Sequence, residues 1–166
     1  PLIIDKLNKN KINYWIDRSG LISLIRGNNL ALLSDFDIAV NFTDLKKVFR
    51  IFKSNSKFKV FKKNIVNNKK FKKIYFRSNN SLKSFEPAVV DFIFYIFKKD
   101  KIFQYGNNLK NYNKLYFEDF DIKKYKNIEF KIPLKANNYL KKIYGSKWRK
   151  RPQFYENILK KKISYK

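Results

Sequence analysis

Gly27-Asn-Asn-Leu-Ala-Leu-Leu-Ser34-Asp35-Phe36-Asp37-Ile38-Ala-Val40 is nearly continuous apolar sequence with two aspartates set into it. A turn at Gly27–Asn29 bounds it, and it reads as a mostly buried strand. Strand side chains alternate between faces, so Asp35 and Asp37 point one way while Phe36 and Ile38 point the other. Asp is depleted in strands, and like charges side by side on a half-buried face repel. A buried carboxylate is tolerated when it is protonated, paired with a base, or bound to a divalent cation. Mg²⁺ takes such oxygens at about 2.0–2.1 Å and would turn the repulsion into a binding site. Two acids merely solvated or salt-bridged to lysines at a strand end are the alternative.

A second apolar run, Pro87-Ala-Val-Val-Asp91-Phe-Ile-Phe-Tyr-Ile-Phe97, is also broken by one aspartate. It reads as another strand, with Lys99–Lys101 turning it into a returning strand over Ile102–Tyr105. Upstream, Ile12–Asp17 alternates as a strand, and Leu21–Arg26 is a short helix stopped by Gly27. Ser19 and Gly20 stand at that helix's entrance, where free backbone N–H groups favour an anion such as phosphate. Residues 2–7 fit the last turns of a first helix. Thr43 signals the cap of a helix through Phe52. Lys57–Lys62 and Phe71–Arg77 alternate basic and aromatic residues as two half-exposed strands. Asn107–Asn113 reads as loop, Ile128–Pro133 as a strand, and Asn137–Tyr144 as a helix closed by Gly145. Leu115–Tyr125 carries no clear period, and Phe154–Leu159 fits a further helix.

At 166 residues the chain is read as one domain, 1–166, of mixed α+β class. It has no Cys and no His, which excludes disulfides, thiolate sites, imidazole bases and the usual zinc sets. Acid–base or metal work must fall on the 13 Asp and Glu, on Lys or on Tyr. The net charge of +26 invites a nucleic-acid reading, and interleaved Lys and aromatics would suit a single strand. Most of the charge is lysine spread along the chain among Asn, Ile, Phe and Tyr, a composition that an A/T-rich genome produces unaided. A nucleic-acid partner is therefore the lesser expectation. Ala88–Phe97 is too short to span a bilayer, which takes about 20 residues, and no signal peptide is visible. The chain opens with Pro1 and contains no Met, so the authentic start is expected upstream.

Strand, Ser-Gly, short helix, D-x-D strand and a later strand with one Asp together resemble the nucleotidyltransferase superfamily. Tyr14-Trp15-Ile-Asp17-Arg-Ser19-Gly20-Leu-Ile-Ser-Leu-Ile-Arg26-Gly27 is similar to the "WLDSGTLLGAVRHGG" opening of the LicD/fukutin family. Ser34–Val40 is similar to its "DDDIDIAM" element, and Pro133–Pro152 to its closing "VPIPKNYEEYLERLYGDWRTP". Ser-Gly stands where the family has Gly-Thr, and Leu32-Leu33-Ser34 where it has "PWDD".

The resemblance implies a nucleotidyltransferase-like mixed sheet flanked by helices. It implies that Asp35, Asp37 and Asp91 hold Mg²⁺ or Mn²⁺, with Asp91 serving as general base. Ser19, Gly20 and Arg26 would meet the donor's pyrophosphate. The implied reaction moves a phospho-alcohol, such as phosphocholine or ribitol phosphate, from a CDP-linked donor to a hydroxyl of a cell-surface glycan. Lipopolysaccharide and other cell-envelope glycans belong to the implied acceptor class, and the expected location is the cytoplasm or the inner membrane face. A minimal nucleotidyltransferase acting on a protein, RNA or small molecule is the second reading. A basic RNA-binding module, indifferent to EDTA and steeply salt-sensitive, is the third.

Overall fold

The computed structural model describes residues 2–27, 35–53, 58–64, 72–78, 89–105 and 110–150. Side chains are described for 3–27, 36–53, 90–105 and 110–150. Helix α1 (Leu2–Lys9) buries Ile4 and Leu7 on one stripe, and a turn through Lys11 leads to β1 (Tyr14–Ile16). Helix α2 (Arg18–Arg26) starts three residues before its apolar run does. Its N-cap is Asp17, in extended conformation, and Gly27 closes it in the left-handed region at φ 67°. Ser19 and Gly20 therefore lie inside the first turn rather than before it. The apolar period marks where a helix buries surface, whereas the cap marks where it begins.

Strand β2 (Asp35–Asn41) carries the D-x-D pair and runs into a 3₁₀ turn, Phe42–Asp44, then α3 (Leu45–Lys53). The Asn41 side chain, not Thr43, caps that turn by accepting from the Thr43 N–H. Strands β3 (Phe58–Asn64) and β4 (Lys72–Ser78) pair antiparallel, as their alternation predicts. The ten-residue β5 (Val89–Lys98) turns at Lys99-Asp100 into β6 (Lys101–Gln104), the hairpin expected there. Asn111–Asn113, read as loop from sequence, is instead an edge strand, β7, beside β6. Its asparagines offer no strand propensity; the ladder offered by β6 recruits them. Beyond a 3₁₀ turn at Lys114–Tyr116 come β8 (Phe120–Tyr125), β9 (Ile128–Pro133) and α4 (Ala136–Tyr144). The expected helix at 154–159 lies outside the described residues.

Among the described residues the main sheet is seven-stranded, ordered β1-β2-β5-β4-β3, with β6 and β7 continuing from the far half of β5. Only β2 and β5 are parallel; every other pair runs antiparallel. Alternation along β5 sends Phe92 to one face and Asp91 and Tyr95 to the other. Phe92 meets Phe52 of α3, with ring centroids 5.4 Å apart. Tyr95 stacks on Trp15 of β1, and Phe117 and Phe120 close around that indole. Tyr139 of α4 then stands edge-on to Phe117. The sheet is thus covered by α3 on one side and by α4 on the other, while the β8–β9 hairpin reaches both faces, Phe120 meeting Trp15 and Phe130 meeting Phe36. It is an α+β fold with a mixed sheet flanked by helices, as the sequence implies.

Candidate active site

The strand register brings two of the three aspartates together. Asp37 of β2 and Asp91 of β5 are Cα partners in the parallel ladder, so both side chains leave the same face of neighbouring strands. Both are buried, at 5% and 7% relative exposure. Asp35 lies on β2 opposite Val89 by its backbone, two register positions back. Its side chain is outside the described residues.

Helix α2 meets this pair end-on. The Ser19 hydroxyl donates to Asp37 Oδ2 at 2.5 Å, and the Ser19 backbone N–H donates to the same oxygen at 3.2 Å. Asp37 thereby sits at the positive end of α2 and satisfies one of its orphan N–H groups. That offsets some of the cost of setting a second carboxylate beside it. Gly20 does a different job. It is buried, and a Cβ there would come within 2.9 Å of Ile16 Cγ2 and 3.0 Å of Phe36 Cε2. The missing side chain lets α2 lie close against β1 and β2. Arg26 ends the same helix, about 10 Å along the axis from Ser19 at 1.5 Å per residue. Its Nη2 donates to the Lys150 carbonyl. The structure thus joins Ser19 to Asp37, whose register partner is Asp91, gives Gly20 a packing role, and sets Arg26 at the helix's far end.

A second cluster adjoins the first and leaves little mark in the sequence. Asp17 is completely buried. Its Oδ1 accepts from the Arg18 N–H at 2.8 Å and from the Tyr139 hydroxyl at 2.7 Å, and its Oδ2 accepts from the Tyr95 hydroxyl at 2.8 Å. Burial first, then the Asp17 charge, pushes the Tyr95 and Tyr139 phenols well above the ordinary tyrosine range. Both remain protonated donors. Arg18 takes a left-handed backbone, φ 41°, and its guanidinium donates to Gln104 Oε1 of β6. Burial alone would lower the Arg18 pKa, but Tyr95, Asp17, Tyr139 and Tyr112 outweigh it and the cation is reinforced. Tyr144, at the end of α4, is pushed up to about 12 by burial first, then by Asp17, and also by Asp37, against a lowering from Arg18. The two clusters therefore share one electrostatic neighbourhood. An acid just before a helix signals an N-cap, which is the one cue to Asp17 in the sequence. Its partners, 78 and 122 residues away, carry no such cue.

Two buried acidic side chains in register on adjacent strands, one fixed by a helix start, form a hard-oxygen donor set suited to Mg²⁺ or Mn²⁺. Among the described residues no group of three or more acidic side chains gathers at one point, the Asp35 side chain being outside them.

The family model for the LicD/FKTN/FKRP nucleotidyltransferase domain matches residues 11–133, from the turn before β1 to the end of β9. The chain belongs to the LicD family. Membership marks this LicD domain as a transferase of the nucleotidyltransferase type. Among solved structures, it is similar to the lincosamide antibiotic adenylyltransferase LnuA bound to lincomycin. That likeness has a TM-score of 0.59 at 16% identity, covering 95% of this chain and 90% of the other, and it shows a shared fold. No curated protein matches the LicD domain at a significant level. No helix among its described residues is long and apolar enough to cross a membrane.

Proposed function

We propose that the chain transfers a phospho-alcohol from a CDP-linked donor to a hydroxyl of a cell-surface glycan, in a metal-dependent reaction. The observation that carries this reading is the Asp37–Asp91 register on β2 and β5, with Ser19 fixing Asp37, in a LicD domain. Asp37 and Asp91, with Asp35 adjoining on β2, would hold Mg²⁺ or Mn²⁺. A divalent ion there supplies charge neutralisation to the donor's phosphates. Ser19 keeps the Asp37 carboxylate oriented. Asp91 takes the proton from the acceptor hydroxyl as its oxygen bonds to the phosphorus of the phospho-alcohol. The phosphoanhydride bond to the cytidine monophosphate breaks, and CMP leaves with the bridging oxygen. Gly20 supports the site through close helix packing. Arg26 is assigned no step and tethers α2 to the Lys150 carbonyl. The protein works on the cytoplasmic side, in solution or at the inner membrane face.

Incubation with CDP-choline, CDP-ribitol or ATP tests this, with release of CMP or pyrophosphate as the readout. CMP released from a CDP-alcohol, dependent on Mg²⁺ and abolished in Asp37→Asn, is the expected result. The likeness to an adenylyltransferase fold favours one second reading, nucleotidyl transfer. Pyrophosphate release from ATP with no CMP from any CDP-alcohol would replace the first by the second.

A further inference from the structure

Two carboxylates divide the free N–H groups at the start of α2. An N-cap side chain ordinarily accepts from the second or third backbone N–H of its helix. Asp17 accepts instead from the first, that of Arg18, at 2.8 Å. The second, that of Ser19, goes to Asp37 Oδ2, where the Ser19 hydroxyl joins it. The Asp17 side chain is held in this arrangement from elsewhere in the fold. Tyr139 of α4 donates to its Oδ1 and Tyr95 of β5 to its Oδ2, so the Ser19 N–H is left to Asp37.

The path from the phenols to the acidic pair is short, and every step in it is a hydrogen bond. The Asp17 backbone N–H donates to the Asp37 carbonyl at 3.0 Å, and the Asp17 carbonyl accepts the first helical bond of α2, from the Leu21 N–H. Between the two held residues Arg18 adopts φ 41°, a region that non-glycine residues seldom enter. Such a backbone persists where its surroundings over-determine it. Here Asp17 is fixed on one side and Ser19 on the other.

We infer that Tyr139, Tyr95 and Asp17 are positioning residues for the acidic pair: by fixing where α2 starts, they hold Ser19 against Asp37 and so orient that carboxylate. The inference rests on the proposed function, in which Asp37 holds a divalent ion. It gives α4, which contributes no acid to the pair, a part in the site.

Mn²⁺ binding to the metal-free protein, measured by calorimetry without donor, reads the carboxylate apart from turnover. Hydrogen-bond partners behind a metal-binding carboxylate typically contribute about 10–100-fold in affinity, so Ser19→Ala should weaken Mn²⁺ about tenfold. Tyr139→Phe and Tyr95→Phe should each weaken it several-fold. Because the phenols act through Ser19, adding Tyr139→Phe to Ser19→Ala should weaken binding by less than the product of the single losses. Val48→Ala, a truncation at a fully buried position of α3, should lower Tm without changing Mn²⁺ affinity. Amide exchange gives a readout that needs no metal. In Tyr139→Phe the Ser19 N–H should lose more protection than the β2 amides, whereas a purely structural loss lowers both alike. Thermal unfolding checks folding, and Tyr95→Phe carries the test if Tyr139→Phe does not fold.

Mn²⁺ affinity and Ser19 exchange that stay unchanged in both tyrosine variants would overturn the inference. So would single losses that multiply in the double variant, or an equal loss of affinity in Val48→Ala. Failure of the proposed function looks different: the wild type would bind no Mn²⁺ and release no CMP, while Ser19 exchange would still respond to the Tyr139 phenol.

Discussion

Asp17 and Tyr139, 122 residues apart in the chain, meet through a 2.7 Å hydrogen bond in a fully buried setting. The bond joins the start of α2 to α4, and Tyr95 ties the same carboxylate to β5 at 2.8 Å. Hydrogen bonds to a charged group contribute about 1.5–3 kcal/mol, so Tyr139→Phe should lower unfolding stability by that amount. Tyr95→Phe should do the same. Because both act on one carboxylate, the double variant should depart from additivity in a urea-denaturation cycle. Additive losses would mean that the two phenols act independently.

The same phenols give the protein an alkaline limit. Tyr95, Tyr139 and Tyr144 all have folded-state pKa values raised above the ordinary 10.0. Above that pH the unfolded chain loses these protons while the folded one keeps them, so the unfolded state binds fewer protons and stability falls as pH rises. Their contribution is complete below pH 10 and is lost progressively above it. Melting temperature should therefore drop from pH 10 upward, and less steeply in Tyr144→Phe.

Asp37 and Asp91 oppose each other in the parallel ladder, and removing one charge relieves the repulsion. Asp37→Asn should leave the free protein folded. In wild type, Mg²⁺ with a cytidine diphosphate compound at about 100 times Kd should add about 2.7 kcal/mol, a rise of roughly 5–10 °C in Tm. The variant should lose that rise. A full shift in Asp37→Asn would detach ligand binding from the pair.

Gly20 has no room for a side chain, with Ile16 and Phe36 at 2.9 and 3.0 Å from a Cβ position. Gly20→Ala should force α2 away from β2 and cost about 1–3 kcal/mol, as overpacked positions do. Because α2 carries Ser19, turnover should fall further than stability predicts. Unchanged stability would show that the helix can move freely.

The strands that bear the acids were legible because an aspartate in an apolar run is chemically conspicuous. Period-two alternation also gave β3, β4 and the β5–β6 turn. What escaped was whatever depends on a partner. Asn111–Asn113 becomes a strand only because β6 offers an edge, and the start of α2 is set by Asp17 rather than by its apolar stripe. Ser19 and Gly20 carried the expectation of a phosphate-facing helix entrance. In three dimensions they divide that role, one orienting a carboxylate and the other permitting close packing. Arg26 came from the family resemblance, and helical rise sets it at the far end of α2 from Ser19. Arg18 stands inside the quoted motif, yet neither its left-handed backbone nor its bond to Gln104 can be read from residue types.

The matched family region ends at Pro133, whereas a phenol that holds Asp17 belongs to α4, beyond it. Trimming the chain at that boundary would leave a sealed-in carboxylate missing one of its two hydroxyl donors and take Tyr139 off the ring of Phe117. Any minimal version of this protein built for screening should therefore keep α4 attached.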